Sequence, residues 1–121
     1  MKFTREAPTA VTIRSVSATE IHIGDRRWSK TIALTASGVI DDWSEKPVEA
    51  LTQADFESLL ITEPELVVLG TGATQVLPPR ELVFSMARTG IGFEVMQTGA
   101  AARTFNVLAG EGRQVAAVLY L

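Results

Sequence analysis

Two glycines flanking a threonine, Gly70-Thr71-Gly72, follow the apolar run Leu66-Val67-Val68-Leu69 and precede Pro78-Pro79-Arg80. Successive backbone N–H groups at Gly70, Thr71, Gly72, Ala73 and Thr74 could together cradle an anion. A helix opening near Pro79 would turn its positive N-terminal end toward the same place. Arg80 would add a full charge, so Gly70, Thr71, Gly72 and Arg80 are the candidate ligand-binding residues. Neither common phosphate loop is present. Gln75 stands where the dinucleotide fingerprint needs its last glycine, and no Gly-Lys-Ser/Thr follows. The competing reading is that both glycines serve only a sharp turn.

Other residues suit other chemistry. Glu94 could act as a general base if burial raised its pKa, but no acid or nucleophile partner accompanies it. Thr98 suits a helix cap better than a nucleophile. No catalytic residue is therefore assigned. Arg103 and Asn106 are three residues apart on a helix, away from its apolar face. With Arg113, beyond the turn at Gly112, they are the candidate contacts to a partner. His22 is the only histidine and the chain has no cysteine, so neither a metal site nor a cofactor is implied. Asp41-Asp42 reads as a solvated loop. Trp28 and Trp43 read as core or edge anchors.

The elements that must position these groups follow from periodicity. Residues 11–43 are β-rich. Ile21 and Ile23 flank His22 in a period of two, and Gly24-Asp25 makes a tight turn. Trp28, Ile32 and Leu34 continue the pattern, and Gly38 breaks it before Val39-Ile40. A polar loop runs from Asp41 through Pro47. Thr52 and Asp55 resemble a capping box for a short helix bearing Phe56, Leu59 and Leu60. Pro64 ends it, and residues 66–69 form a strand. Pro79 fits the first position of a second helix, with Leu82, Val83, Met86 and Ala87 as its apolar face and Gly90 at its end. Residues 93–96 form another strand. Thr98 caps a third helix whose apolar face is Ala101, Ala102, Phe105, Leu108 and Ala109. Gly110 and Gly112 end it, and Val115 to Leu119 suits a central strand. Strand–helix–strand–helix–strand implies crossovers onto one sheet. The expectation is a three-layer α/β single domain, 1–121, with a central mixed β-sheet. Its N-terminal half is β-rich, helices pack on the sheet, and residues 1–10 are a loosely ordered lead-in.

Composition narrows the function. The chain has 121 residues, 46% of them hydrophobic, and a net charge of −3. Its 11 basic residues are scattered among 14 acidic ones, which argues against a nucleic-acid partner. Met1-Lys2-Phe3-Thr4-Arg5-Glu6 lacks the apolar core of a secretory signal. No apolar run approaches the roughly 20 residues of a membrane span, so no direct membrane insertion is expected. A cytoplasmic location is the default.

Several motifs occur together and in order. They are Pro64-Glu65, Gly70-Thr71-Gly72, Gly90-Ile91, Glu94, Met96, Thr98, Ala101, Thr104-Phe105-Asn106, Leu108, Glu111-Gly112-Arg113 and Val115-Ala116-Ala117. This chain resembles the domain of unknown function 498 family over roughly residues 20–120, most closely over 64–118. That family includes the mitochondrial respiratory complex I assembly factor 3. The resemblance implies a three-layer α/β fold with a mixed sheet and no particular reaction. Phe105 stands where the resemblance leads to Tyr. By analogy with the eukaryotic member, the expected function is non-catalytic. It works through protein–protein contacts with unknown partners in assembly of a respiratory or membrane complex. The alternative is a small-molecule protein or enzyme holding an anionic ligand in the Gly70–Arg80 crevice.

Overall fold

A computed structural model describes residues 11–121. The lead-in expected over 1–10 lies outside the described residues. Five strands form the large sheet: β4 (Ile32–Thr35), β5 (Gly38–Ile40), β6 (Leu66–Gly70), β7 (Gly92–Met96) and β8 (Val115–Leu119), in the order β5-β4-β8-β6-β7. Strand β8 runs parallel to β6 and antiparallel to β4, so the sheet is mixed. All five residues of β8 are buried, as an unbroken apolar run in a central strand should be. A smaller antiparallel sheet comprises β1 (Ile13–Val16), β2 (Ile21–Ile23) and β3 (Arg26–Trp28).

Alternation along the strands divides the core into two clusters. On one face of the large sheet, Val68, Ala117, Leu119, Ile32 and Leu34 pack with Ile13, Ile21 and Trp28 of the small sheet. Helix α3 (Thr98–Gly110) adds Ala101, Ala102, Phe105 and Ala109 to this cluster. On the other face, Val67, Leu69, Ala116, Val118 and Ala33 meet Trp43, Phe56, Leu59, Leu82 and Met86. The last two belong to α2 (Arg80–Thr89), and Leu59 to the single turn α1 (Glu57–Leu60). These are the three expected layers, and both tryptophans are buried in them.

Three local expectations are corrected. The helix expected near Phe56 is a 3-10 turn, Gln53–Phe56, running into the one-turn α1. Pro79 is the N-cap of α2 rather than its first residue, with extended backbone at ψ 143°. The apolar face of α2 is narrower than Leu82, Val83, Met86 and Ala87. Leu82 and Met86 are buried, but Val83 is 41% exposed and Ala87 is also exposed. Helix α2 lies beside edge strand β7 and the 3-10 turn, so only a thin stripe of it meets the core.

The loop leading into the 3-10 turn is held electrostatically. Asp55 accepts a hydrogen bond from the Lys46 ammonium at 2.9 Å and from the Thr52 backbone N–H at 2.8 Å. Burial alone would raise its pKa. The Lys46 and Thr52 hydrogen bonds outweigh that and hold it below the ordinary carboxylate value of 3.8. A depressed folded-state pKa adds stability that is present above the unfolded value and lost as pH falls through the folded one. Asp55→Asn should therefore be less stable than the parent at neutral pH. In urea melts taken at decreasing pH, the gap should close only below about pH 4, near the ordinary Asp value. A gap that widens on acidification would contradict this pairing.

Candidate functional site

Strand β6 ends at Gly70, and the loop beyond it is tied down by α3. A Cβ on Gly70 would sit 2.8 Å from the Thr98 Cα and 3.0 Å from the Ala101 Cβ. Only glycine permits this close crossing of strand and helix. Gly72 has φ +105°, in the region L side chains avoid. Both glycines thus have a backbone reason to be there. The Thr71 N–H donates to the Met96 carbonyl, and the Gly72 N–H donates to the Thr98 hydroxyl at 2.7 Å. The Thr71 and Gly72 amides, expected to cradle an anion, are therefore engaged inside the protein, and Gly70 belongs to the ladder that pairs β6 with β8. The Thr71 hydroxyl donates to the Thr74 carbonyl and accepts from the Val76 N–H, closing the loop on itself.

Thr98 is the centre of this arrangement. It is the first residue of α3, not its cap; Gln97 takes the cap position. Its buried hydroxyl accepts from Gly72 and donates to the Tyr120 carbonyl at 2.6 Å. The Tyr120 N–H in turn donates to the Gly70 carbonyl, and its phenol donates to the Lys46 carbonyl at 2.6 Å. Burial pushes that phenol above its ordinary pKa, against the pull of the neighbouring Trp43 indole. The segment after β8, the loop after β6 and the start of α3 are thereby one unit.

A cleft of about 370 Å³ opens beside that unit. Gly72, Ala73, Thr98, Gly99, Tyr120 and Leu121 line it together with Val16 at the end of β1 and Ser17 and Ala18 of the β1–β2 turn. It lies outside the carboxyl ends of the parallel strands, where open α/β sheets commonly place ligands. Of the four candidate ligand residues, only Gly72 lines this cleft; Gly70, Thr71 and Arg80 do not. Arg80 is exposed at the start of α2. The part played by the β1–β2 turn carries no signal in the sequence, because no motif links residues 16–18 to the glycine loop.

The three candidate contact residues are also separated. Asn106 accepts from the Ile13 N–H at 2.9 Å and donates to the Ile13 carbonyl at 2.8 Å. Its amide clamps β1 onto α3 as a neighbouring strand would. Arg103 is exposed, one turn from Val107, which is 60% exposed. Arg113 bonds to Glu65 at 3.2 Å at the surface. His22 sits in β2 between two buried isoleucines, and Glu94 is exposed on β7.

No helix among the described residues is long and apolar enough to cross a membrane. Yet one similar protein is the 13 kDa major membrane protein of Francisella tularensis subsp. holarctica. The two are 31% identical over 91 residues, covering 75% of this chain and 70% of that one. Another is the Bos taurus NADH dehydrogenase (ubiquinone) 1 alpha subcomplex assembly factor 3. Identity there is 36% over 118 residues, covering 95% of this chain and 63% of the bovine protein. This chain thus spans less than two thirds of that relative. A crystal structure of a Bordetella parapertussis protein superposes with a TM-score of 0.85 at 32% identity, covering 95% of this chain and 98% of that one. The profile of the family described as Protein of unknown function (DUF498/DUF598) matches residues 13–120, and the chain belongs to that family.

Proposed function

We propose that this domain works by protein–protein contact, without a reaction of its own, during assembly of a respiratory or membrane complex. We place it in the cytoplasm. The observation that carries the reading is its 36% identity to a complex I assembly factor across 95% of its length. The site geometry is consistent with it. Thr98, the buried hydroxyl beside the cleft, has both its hydrogen-bonding directions engaged by Gly72 and Tyr120. Arg103, exposed on α3 one turn before Val107, and Arg113, in the loop beyond the end of α3, are the proposed contact residues. Asn106 contributes by holding β1 in place.

Arg103→Glu combined with Arg113→Glu should weaken capture of respiratory-chain subunits by the tagged protein at least tenfold. Truncating an arginine that is a binding hot spot costs about 2 kcal/mol or more, and reversal adds repulsion. The fold should survive, because the Arg113–Glu65 pair is a surface ion pair of the kind worth about 1 kcal/mol or less. Capture followed by subunit-resolved mass spectrometry checks this, and undiminished capture rejects this face.

A second reading is favoured by the cleft itself: a small anionic ligand held near Gly72 and Gly99. Inorganic phosphate titrated against the labelled protein should then shift the Gly72, Ala73 and Gly99 amides saturably. Shifts spread along the basic side chains instead would reject it.

A further inference from the structure

Three of the five large hydrophobic side chains exposed among the described residues lie on α2 or just before it, the others being Ile61 and Val107. Phe84 is 55% exposed and Val83 41% exposed, and Leu77, just before the helix, is 71% exposed. Ordinary amphipathic patterning would place polar groups here. Phe84 has Arg80 one turn before it and Arg88 one turn after, both exposed. Neither arginine forms an ion pair with another described residue. At helical rise the two lie about 12 Å apart along the axis. A pair of cations therefore brackets an aromatic side chain on a protein whose net charge is −3.

We infer that this face docks an amphipathic helix of a partner protein, its apolar stripe flanked by Asp or Glu. The inference deepens the protein-contact reading and rests on it. Phe84, with Val83 and Leu77, supplies the apolar anchor, and Arg80 and Arg88 select carboxylates on either side of it. An added strand is the poorer occupant. Gln75 donates to the Val95 carbonyl at 2.9 Å, interrupting edge strand β7 beside the helix. A lipid surface is poorer too. Two arginines give about 2 kcal/mol at an anionic membrane, too little for stable attachment by themselves. A second copy packed antiparallel about Phe84 would set Arg80 of each chain against Arg88 of the other.

The test uses two synthetic 18-residue helical peptides with one leucine stripe, flanked by Glu in one and by Lys in the other. Amide shifts of the intact labelled protein report where they bind. The Glu peptide should perturb residues 77–88 and bind at least tenfold tighter than the Lys peptide. Arg80→Glu with Arg88→Glu should invert that preference, and Phe84→Ser should abolish both. Arg80 and Arg88 are exposed and Phe84 is more than half exposed, so every variant should stay folded, with thermal unfolding shifted by only a few degrees. Equal affinity for the two peptides, or shifts elsewhere, overturns the proposal. So does binding to vesicles containing phosphatidylglycerol with no binding to the Glu peptide. Self-association that is lost in Phe84→Ser also overturns it, in favour of a second copy. If the parent captures respiratory-chain subunits and the charge-reversed α2 variant captures them equally, this surface fails while the protein-contact reading stands. If the parent captures none, that broader reading fails.

Discussion

Phe105→Ala lowers the unfolding free energy by about 3–5 kcal/mol, the usual cost of emptying a buried aromatic site. Phe105 is fully buried, where α3 meets both sheets. Its helix neighbours facing the core are Ala101, Ala102 and Ala109, and the sheet beneath offers Val68 and Ala117. These small or β-branched side chains next to the ring have little length with which to fill the space it leaves. How far the longer side chains of the cluster, Leu34 and Leu119 among them, relax into the cavity sets where in that range the loss falls. A domain of ordinary stability has roughly 5–15 kcal/mol in total, so a third or more is at stake. Urea unfolding followed by tryptophan fluorescence measures it, with Trp28 in the same cluster as a local reporter. A loss below about 1 kcal/mol would mean that α3 presents another face to the sheets.

Thr98→Val costs about 2–6 kcal/mol, although the two side chains have nearly the same shape. The parent hydroxyl serves the Gly72 N–H at 2.7 Å and the Tyr120 carbonyl at 2.6 Å. The valine leaves both groups without that partner, and each such orphan costs about 1–3 kcal/mol. Thr98→Ser keeps the hydroxyl and loses only a methyl group, so it should stay within about 1 kcal/mol of the parent. Hydrogen exchange separates the two causes of loss. The Gly72 amide should lose protection in the valine variant and keep it in the serine variant. Equal behaviour of the two would show that the methyl group, not the hydrogen bonds, secures the loop.

These two sites differ in how far the sequence announces them. The apolar spacing of Ala101, Phe105 and Ala109 identifies the buried stripe of α3, because a long helix on a sheet buries whatever repeats every three to four residues. The continuous run Val115 to Leu119 identifies a strand covered on both faces. Asp55 three residues after Thr52 marks a local turn, and its bond back to the Thr52 N–H is present. Each of these signals depends on neighbours close in the chain. The identity of the family is legible for the related reason that many such local motifs recur in one order.

Tertiary structure alone decided the rest. Thr98 looks like a helix cap, but its hydroxyl bonds to residues 26 and 22 positions away. Asn106 looks like a surface residue, but its amide clamps a strand 93 positions away. Periodicity carries no information about such pairings, since they arise only where folding brings a distant backbone group to a side chain. The exposed face of α2 is the same lesson reversed. Val83, Phe84 and Ala87 are apolar enough to be core, yet the edge position of the helix leaves room to bury only Leu82 and Met86. Residue types along the chain determine which segments seek burial. How much surface the fold provides for each of them is settled by the packing of the whole domain.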